Sequence, residues 1–298
     1  MRRTLIVLIV LALVTAFLIS CGNDEGDGAA EQQEPAEEST TAQSNSLGEW
    51  ADGIYFAMED QFSDRTGWRY NVTIEVQDGE IVSAEWNGAN RENGTDKVTR
   101  SESGEYGMVE NGGAQAPWFE QANATEEWLL ENQDPTAISY TSEQGHTDAI
   151  SGVTIHVVEF FDLVEKALAQ GPVGYGPYQD GVYTATEEAF DHGWKNTVSL
   201  TVVSGYIVAA EFDALPEEGE KNKEEASVDG AYGMVENSPA TVPWYEQIRA
   251  VEEWLIQNQD PAELPIDDTG VTDAVSGVSV TVDSHFALAE EALAGAER

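Results

Sequence analysis

Asp148-Ala149-Ile150-Ser151-Gly152-Val153-Thr154 and Asp273-Ala274-Val275-Ser276-Gly277-Val278-Ser279 are two copies of one short pattern, one near the end of each half of the chain. Each copy ends on a hydroxyl side chain three residues after a serine, and a glycine lies between them. Such a hydroxyl, held in a turn of small residues, can be esterified by a phosphate. A plain binding domain would then become the permanent carrier of a phosphorylated group. The glycine suits that role, because without a Cβ it lets another protein's active site come close to the backbone. A lone Ser-Gly-x-Thr says little. An Asp three residues upstream of the serine, twice and in matched positions, says much more.

The frame around these hydroxyls is an internal duplication. Asp52-Gly53-Ile54-Tyr55 returns as Asp180-Gly181-Val182-Tyr183, and Tyr106-Gly107-Met108-Val109-Glu110-Asn111 as Tyr232-Gly233-Met234-Val235-Glu236-Asn237. Pro117-Trp118, Glu126-Glu127-Trp128-Leu129 and Asn132-Gln133-Asp134-Pro135 return as Pro243-Trp244, Glu252-Glu253-Trp254-Leu255 and Asn258-Gln259-Asp260-Pro261. The offset drifts only from 128 to 125, so the repeat is a whole domain rather than a short solenoid unit. Two tandem homologous α+β domains are expected, at residues 49–170 and 178–298, joined by the Gly- and Pro-rich linker 171–177. Val72, Ile74 and Val76 alternate before Asp78-Gly79, and Val198, Leu200 and Val202 before Ser204-Gly205, which predicts a β-hairpin in each domain. A helix follows around 126–132 and 252–258, stopped by Asp-Pro. A last helix carries Phe161, Val164 and Leu168, or Phe286, Ala289 and Leu293, on one face.

The N-terminus reads as an export signal. Arg2 and Arg3 precede an apolar run from Leu5 to Ile19, and Leu18-Ile19-Ser20 stands before Cys21. This is similar to a bacterial lipobox, which implies removal of residues 1–20 and a lipid on Cys21. Residues 21–48 have almost no large apolar side chains and are expected to form a disordered acidic tether, spanning roughly 25–30 Å as a flexible coil. The chain would then sit on the outer face of the cell membrane. Cys21 is the only cysteine, which excludes an intrachain disulfide and a cysteine metal site. With 13 Lys+Arg against 56 Asp+Glu, the net charge is −43. Such a surface repels nucleic-acid phosphates, so no nucleic-acid partner is expected.

On these residues the two domains resemble the FMN-binding domain family. It includes the flavin-carrying extracytoplasmic subunits of the Rnf and sodium-pumping NADH:quinone oxidoreductase complexes, and two-domain flavinylated lipoproteins of extracellular electron transfer. The resemblance covers roughly residues 50–170 and 178–296. It implies that a flavin transferase recognises Asp148, Ser151, Gly152, Asp273, Ser276 and Gly277, and that Thr154 and Ser279 carry FMN as phosphoesters, up to two in all. The family's Ala is Val153 here, and Val278 in the second copy, a bulkier and stiffer residue beside the acceptor. The repeated Tyr106, Met108 and Trp118, with Tyr232, Met234 and Trp244, could flank the flavin ring, although repeated aromatics more often pack a core.

The expected function is a membrane-anchored flavoprotein relaying electrons from a membrane quinol or flavoprotein to outer acceptors. The alternative is a surface-binding lipoprotein that holds flavin non-covalently or not at all. No catalytic residue is expected, since a Ser or Thr nucleophile needs a base and His146, His156, His192 and His285 have no counterparts between the repeats. No metal site is expected either: the histidines lack ligand spacing, and the run Glu217-Glu218-Gly219-Glu220 reads as a solvated loop.

Overall fold

The computed structural model describes residues 50–92 and 94–298. The signal segment, Cys21 and the tether lie outside the described residues. Each repeat is a three-stranded antiparallel sheet with helices on one face, in keeping with the α+β reading. In the first repeat the strands are β1 (Gly53–Met58), β2 (Trp68–Gln77) and β3 (Glu80–Asn90), followed by α1 (Lys97–Glu102), α2 (Trp118–Asn132) and α3 (Val158–Gln170). In the second they are β4 (Gly181–Thr186), β5 (Trp194–Val203) and β6 (Tyr206–Pro216), then α4 (Lys223–Val228), the short α5 (Met234–Asn237), α6 (Trp244–Asn258) and α7 (Asp283–Leu293).

The expected hairpins are present, with a physical reason for their tightness. Asp78 and Gly79 have φ of 53° and 77°, and Ser204 and Gly205 have 52° and 84°. Two consecutive left-handed residues make the turn whose twist matches that of the strands. The alternating Val72, Ile74 and Val76 then face Phe160, Phe161 and Leu129, and all six belong to the first core. Val198, Leu200 and Val202 do the same against Leu255 and Phe286 in the second. Helix α2 begins at Trp118, well before the expected 126, because Pro117 supplies the N-cap with an extended backbone and its missing N–H costs nothing there.

The outer strands β3 and β6 would each leave an open edge, which α2 and α6 close with side chains. Glu126 Oε1 accepts the Trp86 N–H at 2.6 Å. Gln133 accepts the Ile81 N–H at 2.8 Å and donates to the Ile81 carbonyl at 2.9 Å. Glu252 and Gln259 repeat these bonds on Phe212 and Ile207. The edge therefore has its hydrogen bonds without offering a template for another strand.

The sheet faces turned away from the helices meet each other, a packing that the polar alternate residues of β2 and β5 did not announce. Phe56 stacks on Tyr206 with ring centroids 4.2 Å apart. Thr73 and Ser204 share a buried hydroxyl hydrogen bond of 2.6 Å, and Arg69 pairs with Glu253 at 3.0 Å. The linker joins both repeats as well. Val173 and Gly174 donate to the Ile54 carbonyl, Gly176 donates to the Ser204 carbonyl, and the Tyr206 hydroxyl donates to the Gly174 carbonyl. A Cβ on Gly176 would fall 2.2 Å from the Gly205 carbonyl oxygen, so only glycine permits this approach. Among the described residues no helix is long and apolar enough to cross a membrane.

Phe56 carries the repeat–repeat contact without touching either hydroxyl turn. Phe56→Ala is expected to cost about 3 kcal/mol, read as a lower urea midpoint by tryptophan fluorescence, with both repeats unfolding in one transition.

Candidate functional site

The turn that carries Thr154 is ordered by alternating inward and outward side chains. Ile150 and Val153 are buried in the first core, while Asp148, Ser151, Gly152 and Thr154 are exposed. Val153 N–H donates to the Ile150 carbonyl, and Gly152 takes φ of 83°, a left-handed value that a side chain disfavours. A Cβ on Gly152 would meet nothing within 4 Å, so the backbone here is open to an approaching molecule. In the second repeat Asp273, Ser276, Gly277 and Ser279 are exposed and Gly277 has φ of 85°. Val278 packs against the second core. Val153 thus points into the first core and Val278 packs half-buried against the second, on the side of the turn away from the exposed hydroxyl.

Each hydroxyl is held by a glutamine from the neighbouring helix. Gln121 Oε1 accepts three hydrogen bonds: the Thr154 N–H at 2.7 Å, the Thr154 hydroxyl at 3.1 Å and the Ile155 N–H at 3.2 Å. Gln247 makes the same three with Ser279 and Val280. Gln121 is itself oriented by donating to the Ala116 carbonyl at 2.9 Å. The sequence places the hydroxyl just before a helix, but α3 starts only at Val158 with Val157 as its N-cap. The clamp is therefore a side chain of α2 rather than the free amides of α3.

Beside Thr154 lies a cavity of about 300 Å³ whose lining includes Tyr106, Met108 and Trp118, the last also buried in the first core. Tyr70, His146, His156 and Glu159 complete it. The two histidine rings stand 4.4 Å apart, edge to face. The second repeat has a cavity of about 250 Å³ lined by Tyr232 and Trp244, together with Lys223, Asn196, Val280 and His285. Met234 lies instead in the short α5 and packs against the second core. A larger hollow of about 420 Å³ near Phe56 and Met58 has its cations already committed, Arg69 to Glu253 and Lys166 to Asp60. No group of three or more His, Cys, Asp or Glu suited to a metal occurs among the described residues.

A lysine stands among the aromatic rings of each repeat, behind the wall in the first and lining the cavity in the second. Lys97 is 1% exposed, with its ammonium 4.2 to 5.2 Å from the ring centres of Trp68, Tyr106, Tyr70 and Trp118 and donating to the Tyr70 hydroxyl at 3.1 Å. Its place follows from capping. Asp96 caps α1 by accepting from Thr99 N–H, and Asn87 holds both Asp96 and the Val98 N–H, so residue 97 is turned into the box. Lys223 lies likewise among Trp194, Tyr232 and Trp244. Burial pushes the Lys97 ammonium down to about 7, against the opposing pull of Glu159 and Glu59, and Lys223 down to about 8. His285, buried and hydrogen-bonded to the Asp213 carbonyl, is pushed by burial down to about 4 and is neutral at ordinary pH. Asp213 is raised to about 6 by burial, against the pull of the Ala214 and Glu224 amides that it accepts.

The site can accept a flat aromatic group against its rings and a phosphoester on the exposed hydroxyl. No family model matches the chain, and no curated protein matches it. Two solved structures are similar to part of it. One is a solution NMR structure from Clostridium thermocellum with 55% identity, covering 40% of this chain and 90% of that one, with a TM-score of 0.33. The other is a crystal structure of a protein from Clostridium perfringens with 25% identity, covering 41% and 88%, with a TM-score of 0.32.

The lysine burial has a stability signature. Between pH about 7 and the ordinary lysine value near 10.4, the unfolded chain binds a proton that folded Lys97 does not, so stability rises with pH across this window. Lys97→Met is expected to remove the part of the rise that begins near 7, leaving that of Lys223 from about 8. Urea midpoints followed between pH about 7 and about 10 read the difference.

Proposed function

We propose that this chain is an extracytoplasmic, lipid-anchored flavoprotein that carries FMN on Thr154, Ser279 or both and relays electrons between the membrane and outer acceptors. The observation that carries the reading is the placement of Thr154. Its exposed hydroxyl is clamped by Gln121 at the rim of a cavity walled by Tyr70, Tyr106 and Trp118. In the second repeat Gln247 clamps Ser279 in the same way, and the cavity that Tyr232 and Trp244 line begins at the next residue, Val280.

The residues present fit the group. Aromatic faces are suited to a flat ring, and about 300 Å³ lies at the lower end of ligand pockets. FMN, when bound, supplies the reversible electron transfer; the protein supplies attachment, orientation and electrostatics. Attachment joins the hydroxyl oxygen to the FMN phosphorus. The pyrophosphate bond of FAD breaks, AMP leaves and the hydroxyl proton is lost. Gln121 Oε1 then keeps two donors, the amides of Thr154 and Ile155, so the turn holds its shape after its hydroxyl is esterified. The exposed Asp148, Ser151 and Gly152 are where a flavin transferase would read the turn, with Asp273, Ser276 and Gly277 in the second repeat. A carrier needs no general base of its own. A membrane quinol or flavoprotein would be the donor, and Cys21 the point of lipid anchorage.

The test is the intact mass of the chain, with Cys21→Ser, co-expressed with a flavin transferase. One or two FMN adducts are expected, lost one site at a time in Thr154→Val and Ser279→Val. No adduct and no retained yellow colour would favour a flavin-free surface-binding protein, and colour lost on denaturation a non-covalent one.

A further inference from the structure

We propose that the two sites are set to different potentials, the Ser279 site holding the reduced, negatively charged ring more tightly than the Thr154 site. The inference rests on the flavin reading above and follows from what lines each cavity.

In the first repeat the ammonium is hidden. Lys97 is 1% exposed and donates to Tyr70, and the phenol is what faces the cavity. In the second repeat the residue matching Tyr70 is Asn196, whose amide is taken up by Glu187 and Ser284. With no counterpart of the Tyr70 phenol in front of it, Lys223 lines the cavity directly. It has no hydrogen-bond or ion-pair partner among the described residues, only aromatic faces.

A second substitution acts in the same direction. Glu159 lines the first cavity, and its match in the second repeat is the neutral Ser284. Glu59 and Glu187 are matched residues that hold equivalent backbone amides, of Tyr70 and Asn196, so they offset each other in the comparison. Asp213, whose match in the first repeat is the neutral Asn87, offsets part of the Lys223 charge, but it accepts the amides of Ala214 and Glu224 and does not line the cavity, whereas the ammonium does. His285 faces the second cavity as a neutral ring. Both cavities have a tyrosine from the repeated motif, Tyr106 or Tyr232; the first adds the carboxylate of Glu159 and the phenol of Tyr70, and the second adds an ammonium. Two histidines, His146 and His156, belong to the first cavity alone, with Val271 and Thr281 in their places in the second repeat. His156 lies 3.8 Å from Glu159.

Uptake of two electrons and one proton leaves a flavin ring with one negative charge. A facing ammonium favours that charge and a facing carboxylate opposes it. The Ser279 site is therefore the electron sink of the pair, and electrons entering at the Thr154 site move toward it.

The experiment is a redox titration of singly loaded protein against a reference dye with dithionite as reductant. Ser279→Val leaves only the Thr154 flavin and Thr154→Val only the Ser279 flavin. At least a tenfold stronger preference for the reduced form is expected at Ser279, which is about 30 mV for a two-electron couple. Lys223→Met lowers the Ser279 potential. Ser284→Glu lowers it without touching the lysine, which keeps the test valid if the first variant misfolds. Glu159→Ser raises the Thr154 potential, and His146→Val with His156→Thr does not bring it up to that of Ser279. Equal potentials, or an order unmoved by Lys223→Met and Ser284→Glu, overturn the inference while leaving the flavin reading intact. Absence of any adduct overturns both together.

Discussion

An outer strand with one open edge is the constraint from which this site is built. β3 and β6 have to satisfy backbone groups that no further strand can reach, and each does so through one helix. Glu126 and Gln133 fix α2 along β3 in both position and rotation. Once α2 is fixed, Trp118 and Gln121, in its first turn, have no freedom left. One stands against the lysine and Tyr70; the other reaches the hydroxyl turn. The helix that closes the edge is thereby the helix that sets the wall of the cavity and the clamp of the acceptor. α6 does the same with Trp244, Gln247, Glu252 and Gln259.

Against 56 acidic residues the chain has 13 basic ones, and several of them are in structured positions rather than spread over the surface. Arg69 bonds the Glu59 and Asp60 carbonyls and bridges to the other repeat; Lys97 and Lys223 stand in aromatic boxes; Arg249 holds Glu224. Surface self-repulsion is weakened by salt, while these buried contacts are screened far less. Some acids are buried as well. Burial pushes Glu126 and Glu211 up to about 7. The folded chain then binds protons there that the unfolded chain has released, so these groups weaken the fold as pH rises from about 4.5 to about 7.

The duplication, the hairpins, the last helix of each repeat and the hydroxyl turns were legible because each rests on a local pattern: alternation, a Gly turn, an apolar stripe. The clamp was not. Gln121 and Gln247 are ordinary helix residues, and only their recurrence at matched positions marked them. Lys97 and Lys223 had no mark in the sequence because a cation–π box is assembled from strands and helices far apart in the chain. The contact of Thr73 with Ser204 had no signal either, since a polar strand residue facing another sheet and one facing water give the same alternation. Val153 and Val278 read as obstacles because spacing alone does not say which side of a turn faces the core. His146 and His156, ten residues apart and without repeat partners, came together only in the fold.

The linker hydrogen bonds and the Gly176–Gly205 approach have a kinetic consequence. With Val173, Gly174 and Gly176 bonded to backbone or side chains of both repeats, the linker is tied down at the place where tandem domains usually bend. The pair tumbles as a single rotor. Groups carried on the two turns keep a constant separation, so exchange between them is governed by a fixed distance rather than by the chance of encounter, and its rate would not change with the viscosity of the medium.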